Sequence, residues 1–373
     1  MTSPFAIPQP GLRVKPGSPS IDMPTQEEAA VYPAEAAKIL EQIRAAQAAC
    51  SGFRLDWVRG RHFLVAGGTG SGFGGCVAQA LLERLGEEGS LTIVSRDPSR
   101  SIAYETGILT AEAAARAGMG TRFHWINYGL AVEGKKFERI VAALREAGAS
   151  RVVYLNAVAA AHSGLMPGSP PVYVKDIDEE GLFQWRLLPL DERAIEATHG
   201  PMGRLAAGFP AALERAGVGV EATLFCDWRG SLDRTSRDPA SPDYGRQGPY
   251  STSLYIPKEI LREATRAAIG TNKIAVDLFL PVMQTRALSL VPGGILMPRL
   301  FDALMRREGV RRVDPPELAL AALDRVGRAL AGDSHNPFPR LDLHEAALDL
   351  WFIEVLARLN EDTASPFYFK RWV

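Results

Sequence analysis

From residue 61 to residue 157 the chain alternates between two kinds of hydrophobic pattern. RHFLVA (61–66), LTIVS (91–95), TRFHWI (121–126) and RVVYLNA (151–157) are short apolar runs rich in β-branched and aromatic side chains, as strands are. CVAQALLERLG lies between the first two runs and KKFERIVAALREAG between the last two, each with apolar residues at helical spacing. Successive parallel strands need a crossover, and strands covered on both faces read as apolar throughout. The alternation therefore predicts an α/β fold, a Rossmann-like doubly wound parallel sheet.

The flanks elaborate this unit. A proline-rich, extended N-terminal arm (1–33) precedes a helix from Ala34 to Ala49, whose apolar stripe is Ala36, Ile39, Leu40, Ile43 and Ala46. After Pro167, PVYVKDID and LFQWRLLPL read as extra strands, Asp191 to Ala216 as a helix, and VGVEATLFCD (218–227) as a strand. A polar loop from Trp228 to Gly248 is longer than connections usually are, which marks it as functional or mobile. Lys258 to Ala268 reads as a helix, Ile274 to Leu280 as a strand, and the remainder as C-terminal helices. The expectation is one Rossmann-like domain over 1–373, with a helical, substrate-covering and C-terminal region from 283 onward.

Charge and cysteine usage narrow the function. Lysine and arginine total 42 against 43 acidic residues, which gives no electrostatic reason to expect nucleic acid or an anionic membrane as partner. Cys50, Cys76 and Cys226 are odd in number and scattered, as reduced thiols of a cytoplasmic protein are, and offer no zinc site. The N-terminus has no continuous apolar core of a signal peptide. Asp277, Gln284 and Arg286 interrupt the most apolar later stretch, Ile274 to Met297, against a membrane span. The six histidines show no metal-ligand spacing; His162, just past the fourth strand, either approaches a site or sits in a solvated loop. No GxSxG elbow is present, so hydrolase chemistry has no support.

The densest signal is FLVAGGTGSGFGGCVAQALL, Phe63 to Leu82, where a strand runs through glycines into a helix. Gly68, Gly72 and Gly74 give the spacing GxxxGxG, enclosing Thr69, Ser71 and Phe73. Such glycines allow a tight turn, let backbone amides approach a pyrophosphate, and permit close helix–strand packing. The helix N-terminus adds partial positive charge for phosphates. The second strand ends with Ser95 and Arg96, a hydroxyl and a planar cation that suit the 2′-phosphate of NADP, while Asp97 one step later favours NAD or points away. Asn156 and Ala157 end the fourth strand with small residues where a cofactor's ribose and nicotinamide would lie.

GPYSTSLYIPKEIL (248–261) carries the candidate chemistry: Tyr250 and Tyr255 precede Lys258 at a predicted helix start. A tyrosine hydroxyl can stabilise or protonate a substrate oxygen, and a nearby lysine can hold cofactor ribose and tune the phenol. The short-chain dehydrogenase spacing YxxxK would require tyrosine at 254, which is Leu254. The same tyrosines could instead cap an edge of the core.

These features together resemble the single-chain trans-2-enoyl-CoA reductases and the type V enoyl-ACP reductases, elongated relatives of the short-chain dehydrogenases. GTGSGFG (68–74) is similar to the family's GASTGYG, and VVYLNAVA (152–159) to its VVYSLAAP. Ala212 to Gly230 is similar to a helix and strand ending FTYLG, and MQTRALSLVP (283–292) to VVTQASSAIP. The resemblance spans most of residues 35–310 in the right order. It implies a catalytic Tyr250–Lys258 pair, one residue closer than the family's pair, with Tyr255 as the competing tyrosine, and it places Thr285 among the cofactor contacts. It departs at the second strand, where the family's glutamate for NADH is Arg96, in the turn, where its tyrosine is Phe73, and around Gly129-Leu130, where an acid is replaced. The implied activity is NADPH-dependent reduction of an α,β-unsaturated acyl thioester on CoA or acyl carrier protein, in fatty acid or polyketide metabolism. The alternatives are a ketone or imine reductase of specialised metabolism, or a cofactor-binding homologue without turnover. In this reading Leu288 to Met305 either covers an acyl chain or is core.

Overall fold

The computed structural model describes residues 13–14, 21–22, 26–95, 101–158, 173–177, 183–187, 192–228, 274–280 and 314–332, with isolated helical positions 260 and 263. The N-terminal segment departs from the expected extended arm. Within it, β1 (Arg13–Val14) pairs antiparallel with β2 (Ile21–Asp22), and α1 (Gln26–Ala30) leads into α2 (Tyr32–Ala49). Proline stands in the first turn of α2, where its missing N–H has no intrahelical partner to lose.

The main sheet contains β3 (His62–Ala66), β4 (Ser90–Ser95), β5 (Phe123–Asn127), β6 (Arg151–Asn156), β9 (Gly219–Trp228) and β10 (Ile274–Leu280). Their spatial order is β10-β9-β6-β3-β4-β5, and every neighbouring pair is parallel. The chain starts in the middle at β3, moves outward to β5, then returns past β3 to build β6, β9 and β10. This is the Rossmann order, and its direction reverses between β3 and β6. A separate antiparallel hairpin, β7 (Tyr173–Ile177) with β8 (Phe183–Leu187), accounts for the extra strands read after Pro167.

Helices cover both faces. α3 (Phe73–Leu82), α4 (Ile102–Arg116), α5 (Gly134–Glu146) and α6 (Glu192–Arg215) complete the crossovers among the described elements. Alternate strand residues serve opposite cores, as the pleat requires. Phe63 and Val65 join Ile39, Ile43, Val77 and Leu81 on one face, while Leu64 and Ala66 join Ile140, Leu144, Phe209 and Leu213 on the other. α4 departs from the pattern-based expectation, which has no helix between the second and third strands. The Ser101 side chain caps it, accepting from Tyr104 N at 3.0 Å, and its buried face is Ile102, Thr106, Gly107, Thr110 and Ala114.

From the C-terminal region, α7 (Pro315–Leu330) packs against α2 and α3 and belongs to the first core. Trp57 Nε1 donates to Leu323 O at 3.0 Å, and the buried Asp324 carboxylate accepts from Arg54 N and Arg328 Nε, both at 2.9 Å. Trp57 lies so close to Gly327 that a Cβ there would sit 2.3 Å from its ring. This docking closes the core beneath α3 and presses that helix against the sheet.

Candidate functional site

In an open α/β sheet, ligands bind outside the carboxyl ends of the strands at the point where strand order reverses. Here that point lies between β3 and β6, and the glycine turn that follows β3 occupies it. Gly67 N donates to Val94 O and Ala157 N to Ala66 O, both at 2.8 Å, so the turn leaves the sheet stitched to its neighbours.

Of the predicted glycines, Gly74 has the tightest contacts. A Cβ there would lie 2.2 Å from Gly67 O and 2.9 Å from Ala157 Cβ, so the start of α3 rests directly on the turn and on the end of β6. Gly68 lies against Val65 and Ile93, whose side chains stand 3.0 Å from where its Cβ would be. Gly72 is the N-cap of α3, with extended backbone and no capping side chain, and no acidic residue stands in the first turn. The first N–H groups of α3 therefore point out of the helix end without side-chain acceptors, the arrangement that attracts anions. Thr69 is half-buried and Phe73 is buried in the first core. Ser71 is buried too, and its Oγ has no hydrogen-bond partner among the described residues. An uncapped helix end and an orphaned buried hydroxyl beside it fit a diphosphate, and the seating of Gly74 on Gly67 and Ala157 brings that helix end to the turn.

Sequence spacing did not single out the two glycines that the turn geometry demands most. Gly67 and Gly70 have φ of +83° and +81°, a region that side-chain-bearing residues rarely adopt. Both lie inside the quoted stretch, but no spacing rule distinguishes them from their neighbours. Gly70 is further held by Thr106 of α4, whose Oγ1 accepts from Gly70 N at 2.7 Å. Nothing in the sequence pattern marks Thr106.

At the end of β6, Asn156 is buried and its Oδ1 accepts from Val158 N at 3.1 Å, an Asx turn that directs the chain out of the sheet. Ala157 is small because Gly67 and Gly74 both abut it. At the end of β4, Ser95 is buried and its Oγ accepts from Trp125 Nε1 at 2.9 Å. Indole nitrogen is only a donor, so the hydroxyl proton of Ser95 remains to be given elsewhere. Gly68, Thr69, Ser71, Gly72, Phe73, Gly74, Asn156 and Ala157 thus gather at one end of the β3–β6 junction, with Ser95 one strand away on β4. Arg96, Tyr250, Tyr255, Lys258 and Thr285 lie outside the described residues, as do the polar loop 229–248 and Leu288 to Met305.

Two reactive side-chain types near the turn are passive. Cys76 in α3 is fully buried; burial and then the charge of Asp314 push its thiol far above the ordinary range, so it packs as an apolar group. Tyr154 on β6 is buried among Phe209 and Phe225, and burial raises its phenol well above the usual value. Among the described residues no His, Cys, Asp or Glu cluster could hold a metal ion, and no helix is long and apolar enough to cross a membrane.

No protein-family model and no curated protein sequence matches the chain. Solved structures do resemble it. The trans-2-enoyl-CoA reductase of Clostridium acetobutylicum in complex with NAD superposes with a TM-score of 0.58 at 15% identity, over 91% of this chain and 89% of that one. The trans-2-enoyl-CoA reductase of Treponema denticola in complex with NAD gives 0.57 at 15% identity, over 92% and 89%. At such low identity the likeness speaks for the fold, and over nearly its whole length the chain shares the fold of these two trans-2-enoyl-CoA reductases.

Proposed function

We propose that the protein is a nicotinamide-dependent oxidoreductase that uses NADPH to reduce the carbon–carbon double bond of an α,β-unsaturated acyl thioester. The observation that carries the reading is the glycine turn at the β3–β6 reversal, with an uncapped α3 N-terminus and Gly74 seated on Gly67 and Ala157. The shared fold with trans-2-enoyl-CoA reductases solved with NAD supports a nicotinamide-dependent reductase, and the motif resemblance of GTGSGFG and VVYLNAVA suggests the thioester substrate. Arg96 beside Ser95 supports the phosphorylated cofactor, because guanidinium pairs with phosphate in bidentate fashion.

A dinucleotide held at the turn would supply a hydride to the β-carbon of the substrate. The first amides of α3, with Ser71, would hold its diphosphate, and Asn156 and Ala157 would lie toward its ribose and nicotinamide. Hydride addition at the β-carbon moves the π electrons toward the thioester carbonyl. Tyr250 would donate a hydrogen bond to the enolate oxygen that develops, and the α-carbon would then take a proton from solvent water, giving the saturated thioester and hydroxide that the buffer neutralises. Lys258 would hold the ribose and keep the phenol polarised, and Thr285 would contribute a further cofactor contact.

Single-turnover oxidation of NADPH with crotonyl and longer enoyl thioesters tests the reading, since it separates chemistry from binding and release. The expected product from 4-deuterated NADPH is the saturated thioester with deuterium on the β-carbon. Tyr250→Phe should slow the hydride step strongly and leave NADPH affinity nearly unchanged, Lys258→Ala should weaken both, and Tyr255→Phe should be mild. A wild-type protein that binds NADPH but oxidises none with any enoyl thioester refutes the substrate class. Normal turnover in Tyr250→Phe with a dead Tyr255→Phe moves the catalytic role to Tyr255.

A further inference from the structure

A chain of buried and partly buried hydrogen bonds crosses three helices and ends on the glycine turn. Arg44 Nε of α2 donates to Gln79 Oε1 of α3 at 3.3 Å, and Gln79 Nε2 donates to Thr110 Oγ1 of α4 at 2.9 Å. Thr110 Oγ1 donates to Thr106 O at 2.6 Å. One turn further, Thr106 Oγ1 donates to Ala103 O and accepts from Gly70 N, both at 2.7 Å. Gln79, Thr106 and Thr110 are all buried, whereas Arg44 is half-buried.

The proton bookkeeping fixes a direction. Each threonine hydroxyl has one proton, and both are spent on helix carbonyls, so each oxygen is left as an acceptor for a neighbouring element. Thr110 takes the α3 amide and Thr106 takes the turn amide. Gly70 is clamped from the other side as well, because a Cβ at Gly75 would lie 2.1 Å from Gly70 O. The turn therefore cannot relax toward α3, and the Thr106 hydroxyl ties its backbone to α4, where Ala103 also lies against it.

We propose that Thr106 is the positioning residue of this turn: by holding the Gly70 amide it sets the backbone shape that admits the dinucleotide diphosphate, with Gln79 and Arg44 bracing it through Thr110. The proposal deepens the dinucleotide reading and rests on it. Thr106 touches the turn and acts on the cofactor through it.

Thr106→Val is nearly isosteric, removes the acceptor and leaves a buried N–H unpaired, whereas Thr106→Ser keeps the oxygen. The full chain is titrated with NADPH, and amide hydrogen exchange at Gly70 is followed without cofactor. Thr106→Val should weaken NADPH binding about tenfold and speed Gly70 exchange by a similar factor. Thr106→Ser should return both close to wild type. Wild-type affinity or wild-type Gly70 exchange in Thr106→Val overturns the proposal, as does Thr106→Ser behaving like Thr106→Val. If Thr106→Val does not fold, Gly70 exchange in the wild type decides: strong protection supports the bond, and the rate of an open loop amide overturns it. A wild type that binds neither NADPH nor NADH fails in a different arm, sinking the dinucleotide reading and the proposal with it.

Discussion

Gly74→Ala adds a single methyl group and tests how closely α3 is seated on the turn. In an exposed helix, replacing glycine by alanine is stabilising by roughly 0.5–1 kcal/mol, because the unfolded chain loses freedom. Gly208 on α6 meets that description, since a Cβ there has nothing within 4 Å, and Gly208→Ala should raise stability by about that amount. At Gly74 the new carbon would lie 2.2 Å from Gly67 O, short of an ordinary contact of roughly 3.5 Å. The helix start or the turn must therefore move by about 1 Å. Overpacking of that kind costs ~1–3 kcal/mol, which outweighs the entropic gain and reverses the sign. The same movement withdraws the α3 amides from a diphosphate, and each charge-assisted bond lost is worth ~1.5–3 kcal/mol, about ten- to hundredfold in affinity. Urea midpoints of the two variants at unchanged slope, together with NADPH titration, give both quantities. A Gly74→Ala protein with wild-type midpoint and wild-type affinity would refute the claim that α3 and the turn are in contact at the proposed dinucleotide site.

Three further outcomes are expected. Arg96→Glu should weaken NADPH about ten- to hundredfold in direct titration and leave NADH little changed; equal wild-type affinities for the two cofactors would remove the basis for an NADP preference. Tyr154 Oη is buried with no hydrogen-bond partner among the described residues, so Tyr154→Phe should hold or gain stability by about 1 kcal/mol in denaturant melts, and a loss of that size would contradict the packing described. Burial lowers the affinity of His62 for a proton, so the unfolded chain is protonated first as pH falls. Its stabilising contribution is complete above about pH 6.5 and is lost below it; His62→Gln should flatten that part of the stability–pH curve, and an unchanged slope would contradict the assignment.

The sheet was legible because both of its faces are buried, which makes strands 62–66, 90–95 and 151–156 rich in apolar and β-branched residues on both faces and leaves the crossovers as the amphipathic text between them. The α4 crossover escaped that logic. Its inward residues include Thr106, Gly107, Thr110 and Ala114, so it has no strong apolar stripe for a periodicity to find. The reason lies in what the face touches: Gly107 is where the Trp125 ring lies, with a Cβ there only 2.4 Å from the ring, and the threonines serve the turn and Gln79. A helix chosen for close approach and hydrogen bonding looks polar in one dimension.

The glycine turn divides in the same way. Its existence follows from one strand, a run of glycines and one helix, and the motif spacing includes Gly74, where a Cβ would lie 2.2 Å from Gly67 O. Motif spacing, however, encodes only distances along the chain. Gly67 and Gly70 have positive φ and meet elements far away in sequence: Ala157, just past β6, leaves little room for a Cβ on Gly67, and Thr106 accepts from the Gly70 amide. Ser95 behaves alike, because its hydroxyl is oriented by Trp125, thirty residues on, so its value as a donor to a cofactor depends on a neighbouring strand's side chain. What a single sequence exposes is the frame that burial imposes; the side chains that tune the site belong to contacts between elements and become readable only when the sheet order brings those elements together.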